Sequence, residues 1–194
     1  MGNENITNGR ITYDARVVAN EFLRLAKKDS RVFTNMQLQK LVIIAHGFSL
    51  AILGEPLVLQ RVMLGKWGPV IPDLWNALLH HGAGAVTHPI QIETTHKIEL
   101  PKKYWIFREQ RFASEYVGYE LIYDQTCLSL IKAIYDAYCK HSGLQLSTVC
   151  HVKGSPWEIV YSQNPTLVDV RYIPDELFKT YYLNLLQEVK DREC

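Results

Sequence analysis

The sequence predicts a mainly α-helical fold in a single compact domain, and three observations support this prediction. Apolar residues recur at spacings of three and four in several segments, which is the period of an amphipathic helix. Capping side chains, prolines and glycines stand at the expected ends of those segments. The chain has 194 residues, 47% of them hydrophobic, which suits about one domain with a substantial core. We expect that domain over residues 12–194, after a polar, disordered leader over residues 1–11.

The first two helices are predicted before residue 55. Thr12 is a candidate cap for a helix that continues to about Lys28. Thr34 is a candidate cap for the second helix. Gly54 ends that helix, because a left-handed residue is commonly needed there, and Pro56 prevents its continuation. The buried stripe of the second helix is wide and comprises Leu38, Leu41, Val42, Ala45, Phe48, Ala51 and Ile52.

The middle of the chain predicts an extended stretch, a short helix and an irregular β element. The chain is expected to be extended over residues 62–67 and to turn at Gly68-Pro69. A short helix then begins at Pro72, since proline is pre-shaped for the first helical position. Residues 88–123 are enriched in β-branched and aromatic side chains and carry few helix signals, so a small irregular β element is expected there.

Four more helices are predicted in the last third of the chain. The helical period returns after Asp124, and residues 144–151 are expected to form a short helix. Pro156 starts the next one, with Trp157 directed back to the core. Pro174 opens a terminal helix with acidic residues in its first turn, where they suit the helix dipole.

Charge, cysteine spacing and hydropathy exclude several classes of protein. The 21 basic residues nearly balance the 20 acidic ones, so no overall basic field attracts nucleic acid. The four cysteines have no CxxC spacing, and the polar amino terminus lacks the features of a signal peptide. The longest apolar run, residues 41–53, is too short to span a bilayer of about 30 Å. We therefore expect a cytoplasmic protein with free thiols and no membrane segment.

Candidate catalytic and metal-binding groups are sparse. Two of the seven histidines are neighbours at residues 80–81, but no helical HxxxH spacing accompanies them, so a solvated loop is favoured over a metal site. Cys150 precedes His151, and a hydrolase built on this pair remains an alternative. It requires the two side chains to converge with an orienting third group, which adjacency does not provide. We expect no metal, no cofactor and no enzymatic activity.

A nucleic-acid-binding regulator is the other alternative. Residues 102–111 combine lysine, arginine, tyrosine and tryptophan, as surfaces for single-stranded nucleic acid do. Acidic residues are interleaved with them, namely Glu99, Glu109 and Glu115. Nucleic acid is therefore disfavoured as a partner.

Three residues are candidates for contact with a partner protein. Gln37 and Lys40 lie on the second helix, where the lysine stem can cover apolar surface while its ammonium reaches a carboxylate or the carboxyl end of a helix. Lys40 is then either a lysine at the core boundary or a contact to a partner. Trp75 stands among polar residues on the short helix and is expected to be exposed, as aromatic interface anchors are. Trp67 and Trp157 lie close to prolines, and we expect both to pack in the core.

Four short motifs occur in a fixed order over roughly residues 13–186. They are Q-K-L at Gln39, Lys40 and Leu41, G-x-P-L at residues 54–57, W-G-P-V at Trp67, Gly68, Pro69 and Val70, and P-W at Pro156 and Trp157. This order resembles the Panacea domain of the SocA-like family, whose members are also described as phage-associated. The motif residues are accordingly expected to have a structural or binding role.

The resemblance implies a function that the residues alone do not. Panacea domains act as antitoxins of toxin–antitoxin systems and neutralise their cognate toxins by direct binding. SocA-like members also hand the toxin to a ClpXP-type protease, which implies a second partner. The expected function is therefore that of an antitoxin.

Overall fold

The computed structural model describes residues 12–92, 121–163 and 171–193, and within these ranges the fold is mainly α-helical, as predicted. The helices are α1 (Ala15–Lys28), α2 (Asn35–Ile52), α3 (Pro72–Leu78), α4 (Gln125–Tyr138), α5 (Gly143–Cys150), α6 (Pro156–Gln163) and α7 (Asp175–Glu193). A 3₁₀ turn (Leu79–His81) follows α3. The strands are β1 (Phe33–Thr34), β2 (Met63–Gly65), β3 (Gly68–Val70) and β4 (Ala85–Val86).

Helix α2 packs against α1, α3, α4, α5 and α7, and thereby forms the centre of the described fold. It is buried on nearly every side because apolar residues surround its axis. The predicted cap is confirmed as a capping box. The Thr34 hydroxyl accepts a bond from the Gln37 backbone N–H, and the Gln37 side chain accepts one from the Thr34 N–H. Gly54 follows the helix end with a φ of 77°, the left-handed conformation predicted there.

Helix α7 lies against the C-terminal half of α2 at a glycine. A Cβ atom at Gly47 would overlap the ring of Tyr182, so this close approach requires a residue without a side chain. One polar contact supports the packing, between Nε2 of the buried His46 and Oδ1 of Asp175 at 3.2 Å. The α2–α7 contact is otherwise made by apolar and aromatic side chains.

The four strands form two small antiparallel sheets. Strand β1 pairs with β4, with Phe33 opposite Val86. Strands β2 and β3 form a hairpin, and Tyr172 extends it on the other side of β2 through an antiparallel bridge to Met63. The β1–β4 pair was not predicted, because two-residue strands have no measurable period.

The turn of the β2–β3 hairpin is displaced from the predicted position. Gly65 pairs with Gly68, which leaves Lys66 and Trp67 as a two-residue loop, whereas the prediction placed the turn at Gly68-Pro69. Gly68 has a φ of 97°, a conformation that glycine adopts without strain. Pro69 therefore stands within a strand.

Proline is accepted in β3 because its missing N–H is not needed there. Pro69 lies opposite Leu64, and the N–H of Leu64 donates to the Arg171 carbonyl at 2.7 Å, away from β3. The backbone of residue 69 thus takes no part in the ladder between β2 and β3.

The remaining predictions concern helix starts and the β element. Asp14, not Thr12, caps α1, since its carboxylate accepts the Arg16 N–H at 2.8 Å. The helices predicted after Asp124, Pro156 and Pro174 are confirmed, and the one predicted over residues 144–151 is α5.

The leader over residues 1–11 and residues 93–120 of the expected β element lie outside the described residues. The flanking residues 88–92 and 121–123 contain no strand. Among the helices of the described ranges, none is both long enough and apolar enough to cross a membrane.

Candidate partner-binding site

The N-terminal half of α2 fixes the backbone that leads through β3. Gln39 is buried and pairs with Ile71 in both directions: the Ile71 N–H donates to Oε1 at 3.0 Å, and Nε2 donates to the Ile71 carbonyl at 3.4 Å. Lys40 Nζ donates to the Pro69 carbonyl at 2.9 Å. These two neighbouring residues of the Q-K-L motif therefore satisfy the open edge of β3, which would otherwise present unpaired backbone groups.

Two further helices hold the turn of the hairpin. The Ser147 hydroxyl of α5 donates to the Trp67 carbonyl at 3.0 Å. Trp157 of α6 donates from Nε1 to the Gly65 carbonyl at 2.8 Å, and its ring stacks on Tyr161 at a centroid distance of 4.6 Å. The predicted burial of Trp157 is confirmed. The carbonyls of alternate residues 65, 67 and 69 are thus bonded by α6, α5 and α2 respectively.

Lys40 is buried, which corrects the expectation that it lies at the core boundary; its contact with a partner stays a prediction. Its side chain is 4% exposed, and within the described residues it forms no salt bridge. Burial lowers the pKa of its amine to about 8, and only the nearby Cys150 thiol acts in the opposite direction. The amine lies close to Gly68: a Cβ there would be 2.9 Å from Nζ, so a side chain at residue 68 would require the lysine to shift.

The Cys150 and His151 pair does not have the character of an activated nucleophile. Burial raises the pKa of the Cys150 thiol to about 11, so the thiol is protonated at neutral pH. The His151 Nδ1 atom lies 2.6 Å from the Ser147 carbonyl, and its ring meets Trp157 edge to face at 4.1 Å. This histidine is therefore engaged with α5 and α6. The hydrolase alternative gains no support from this geometry.

Trp67 is exposed, contrary to the expectation that it packs in the core. Its side chain is 63% exposed at the tip of the hairpin, and the Lys66 ammonium lies 5.4 Å from its ring centroid. The reason is local: a two-residue turn directs both of its side chains away from the body of the protein. Glycine is common at the last position of a four-residue turn, as at Gly68, but this preference does not locate the tip; the register of the hairpin identifies residues 66–67 as the loop.

The three predicted partner-binding residues differ in accessibility. Trp75 is 40% exposed on α3, and the next residue on the same side, Leu79, is 56% exposed. Gln37 is half-buried, and its Nε2 donates to the His141 carbonyl at 2.9 Å. Lys40 is buried behind the hairpin. The structure therefore places Trp75 alone of the three on an open surface, and a binding role for all three stays a prediction.

Two other regions have no clear ligand chemistry. The rings of His80 and His81 lie 4.0 Å apart, yet among the described residues no three potential ligands form a group that could hold a metal ion. A groove of about 570 Å³ separates α1 from α4. Its charges are largely paired within the groove, through Glu21–Arg24 and Lys132–Asp136. The basic and aromatic residues 102–111 lie outside the described ranges.

Comparison with known proteins relates the hairpin and its anchors to one family. The family model described as "Antitoxin SocA-like, Panacea domain" matches residues 38–158. Antitoxin SocA from Caulobacter vibrioides (strain NA1000 / CB15N) is 28% identical over 155 residues, which cover 80% of this chain and 74% of that protein. No solved structure gives a significant match. The matched range contains the whole hairpin and its side-chain anchors Gln39, Lys40, Ser147 and Trp157.

Proposed function

Because this chain belongs to the family of SocA-like antitoxins with a Panacea domain, we propose that it neutralises a cognate protein toxin by direct binding in the cytoplasm. The observation that carries the proposal is the family match over residues 38–158, which spans the central helix and the anchored hairpin. These elements form a rigid support for an exposed tryptophan, as expected of a protein that acts through its surface.

Neutralisation by this protein is proposed to be stoichiometric. The Cys150 thiol beside His151 is protonated, so this pair lacks the activated nucleophile that a catalytic turnover of the toxin would use. One bound antitoxin then silences one toxin molecule. Delivery to a ClpXP-type protease is the finer alternative, since a protease would release the antitoxin for further rounds.

The predicted partner-binding residues are proposed to act in two ways. Trp75 contributes directly, because its ring is open to a partner and borders the exposed Leu79. Gln37 and Lys40 contribute to binding indirectly, by holding the backbone: Gln37 fixes the start of α2 and Lys40 fixes β3. A substitution at Lys40 is therefore expected to weaken binding through the shape of the hairpin rather than through a lost contact.

The test is co-expression with the product of an adjacent open reading frame as the candidate toxin, scored by growth and by co-purification. We expect protection only when the antitoxin at least equals the toxin in amount, both in a normal host and in a host without ClpXP. Protection at strongly substoichiometric antitoxin that disappears without the protease would replace blocking by proteolytic delivery. Absence of both protection and co-purification with a folded protein would overturn the antitoxin proposal.

A matched pair of variants tests the role of Trp75. Trp75→Ala removes an exposed aromatic ring from α3, whereas Leu183→Ala removes an exposed apolar side chain of α7. We expect the first variant to lose co-purified toxin and the second to retain it, with both folding normally by circular dichroism. Equal retention would remove Trp75 from the proposed surface.

A further inference from the structure

The hairpin and Tyr172 together form a small sheet with one open face. Met63 is in register with Val70 on one side and with Tyr172 on the other, so these three side chains project from the same face. Tyr172 is 38% exposed, and the other two are partly exposed. The opposite face carries the buried Leu64 and Ile173. The described residues thus leave one apolar row of this sheet uncovered.

A cation lies over each of two aromatic rings of this sheet, one at Tyr172 within the row and one at Trp67 at the hairpin tip. Lys66 lies 5.4 Å from the ring centroid of Trp67, and the Arg61 guanidinium lies 5.3 Å from that of Tyr172. Neither cation has an ion-pair partner within the described ranges. The sequence contains no acidic residue from 56 to 72. The face is therefore aromatic and basic, without an internal negative charge to compensate it.

We infer that a cation–aromatic face of this protein binds the toxin. The face consists of Arg61, Met63, Lys66, Trp67, Val70 and Tyr172, and the toxin surface that it contacts has an apolar pocket with carboxylates around it. The inference rests on the proposed antitoxin function and assigns a contact surface to the toxin in addition to Trp75. Trp67 enters the apolar pocket, while Arg61 and Lys66 meet carboxylates at the pocket rim. Tryptophan, tyrosine and arginine are the residues that most often dominate the energy of protein interfaces.

The anchoring of the hairpin explains why such a face binds well. The backbone under Trp67 is fixed by bonds from Lys40, Ser147 and Trp157 before any partner arrives. Little backbone entropy is then lost on association, which leaves more of the contact energy for affinity. The bonds reach only backbone carbonyls, so the outward side chains of residues 66 and 67 remain available.

A protein partner fits this face better than a nucleic acid. The two cations of this face neutralise about two phosphates, whereas a protein that binds nucleic acid through the phosphate backbone can make roughly 6–10 such contacts. The near-neutral charge of the whole chain adds no long-range attraction for a polyanion. Carboxylates beside an apolar pocket need only the two cations that the face provides.

The experiment measures binding of purified toxin to the intact protein and to three variants at low and high salt. Trp67→Ala removes the central ring, and the double variant Arg61→Glu/Lys66→Glu reverses the two cations. Lys179→Glu/Lys190→Glu changes the net charge equally on exposed positions of α7 and serves as the control. Circular dichroism and melting confirm that each variant is folded.

We expect Trp67→Ala to weaken binding by about 10-fold or more, as truncation of an interface anchor does. The Arg61→Glu/Lys66→Glu variant should slow association by about 10-fold at low salt and lose most of its salt dependence, while the α7 control binds like the wild type. Toxin bound by the wild type and within about twofold by both hairpin variants would overturn the assigned face and leave the antitoxin function intact. A wild type that binds no toxin would overturn the function itself. Binding of a single-stranded oligonucleotide that is lost in Arg61→Glu/Lys66→Glu would overturn the protein partner.

Discussion

In its C-terminal half, α2 joins α7 mainly through side-chain packing, with the ring of Tyr182 seated over Gly47. In its N-terminal half, the same helix holds a hairpin through bonds from Gln39 and Lys40 to backbone groups. Side-chain packing buries the facing surfaces of both α2 and α7. Hydrogen bonds to the hairpin backbone, in contrast, leave the hairpin side chains available for other contacts. The difference teaches that one helix can serve as a permanent core at one end and as a support for a contact surface at the other.

The largest loss of stability is expected from a substitution at the end of α2 that holds the hairpin. Trp157→Ala removes a buried ring that stacks on Tyr161 and bonds Gly65, and should lower the free energy of unfolding by about 3–5 kcal/mol. Denaturant unfolding measures it. Trp157→Phe keeps most of the packing and removes only the indole N–H bond to the Gly65 carbonyl, which is still paired with Gly68 across the turn, so a smaller loss of about 0.5–1.5 kcal/mol is expected from that bond. Equal losses in the two variants would show that packing of the ring contributes little.

The second effect is a pH dependence of stability that comes from Lys40, at the end of α2 that holds the hairpin. The pKa of Lys40 is about 8 in the folded protein, against an ordinary value of 10.5, so the unfolded chain binds more protons between these values. Stability from this group therefore rises with pH across that window, by about 3 kcal/mol. Lys40→Met removes the titrating group. The difference in free energy of unfolding between wild type and variant should shift in favour of the wild type from pH 8 to 10.5.

A comparison with the variant is needed because Cys150 acts in the opposite direction. Its pKa is about 11 when folded and near 9 when unfolded, so its contribution to stability falls as pH rises between those values. Both proteins contain this thiol, so the part of its effect that comes from burial cancels in the difference, and the part that comes from its electrostatic interaction with Lys40 does not. A difference that is constant from pH 8 to 10.5 would contradict a depressed pKa for Lys40.

The third effect is a loss of stability at the C-terminal half of α2, where this helix packs against α7. Gly47→Ala places a methyl group against the ring of Tyr182 and should lower the free energy of unfolding by about 1–3 kcal/mol, because α7 must shift. Gly54→Ala provides a contrast, since nothing lies within 4 Å of a Cβ there and only the left-handed backbone resists it. Thermal melting distinguishes them. If a further Tyr182→Ala exchange fails to relieve the Gly47→Ala loss, steric overlap is not its cause.

The smallest effect lies at the hairpin tip. Trp67→Ala should alter the free energy of unfolding by no more than about 0.5 kcal/mol, because the ring is mostly exposed and its backbone carbonyl keeps the bond from Ser147. Melting of this variant beside Trp157→Ala checks the expectation. A large loss from Trp67→Ala would mean that the tip belongs to the core and would remove the distinction between the two tryptophans.

Local chemistry made most of the fold predictable from the sequence. The start of α2 at Thr34, its end before Gly54 and the starts of α4, α6 and α7 each follow from a cap or proline within a few residues. Contacts that join distant positions were not predictable in this way. The buried amine of Lys40 bonds the carbonyl of Pro69, which lies 29 residues further along the chain, and no residue near position 40 indicates this contact.

The candidate site was predicted only in part for the same reason. Trp75 was expected to be exposed because its neighbours on α3 are polar, and it is exposed. Trp67 was assigned to the core because a proline lies close to it. The deciding feature is the pairing of Gly65 with Gly68, which turns residue 67 outward and becomes evident only once the hairpin register is known.

The bonds that hold the hairpin end on carbonyl oxygens, which every amino acid possesses. Residues 66 and 67 can therefore be exchanged for others without disturbing the supports from Lys40, Ser147 and Trp157. A lineage that carries this scaffold can change its recognition chemistry at these positions while its folding requirements stay constant. Because the scaffold bonds the backbone and the exposed side chains make the contacts, a few surface substitutions are enough to acquire a new target.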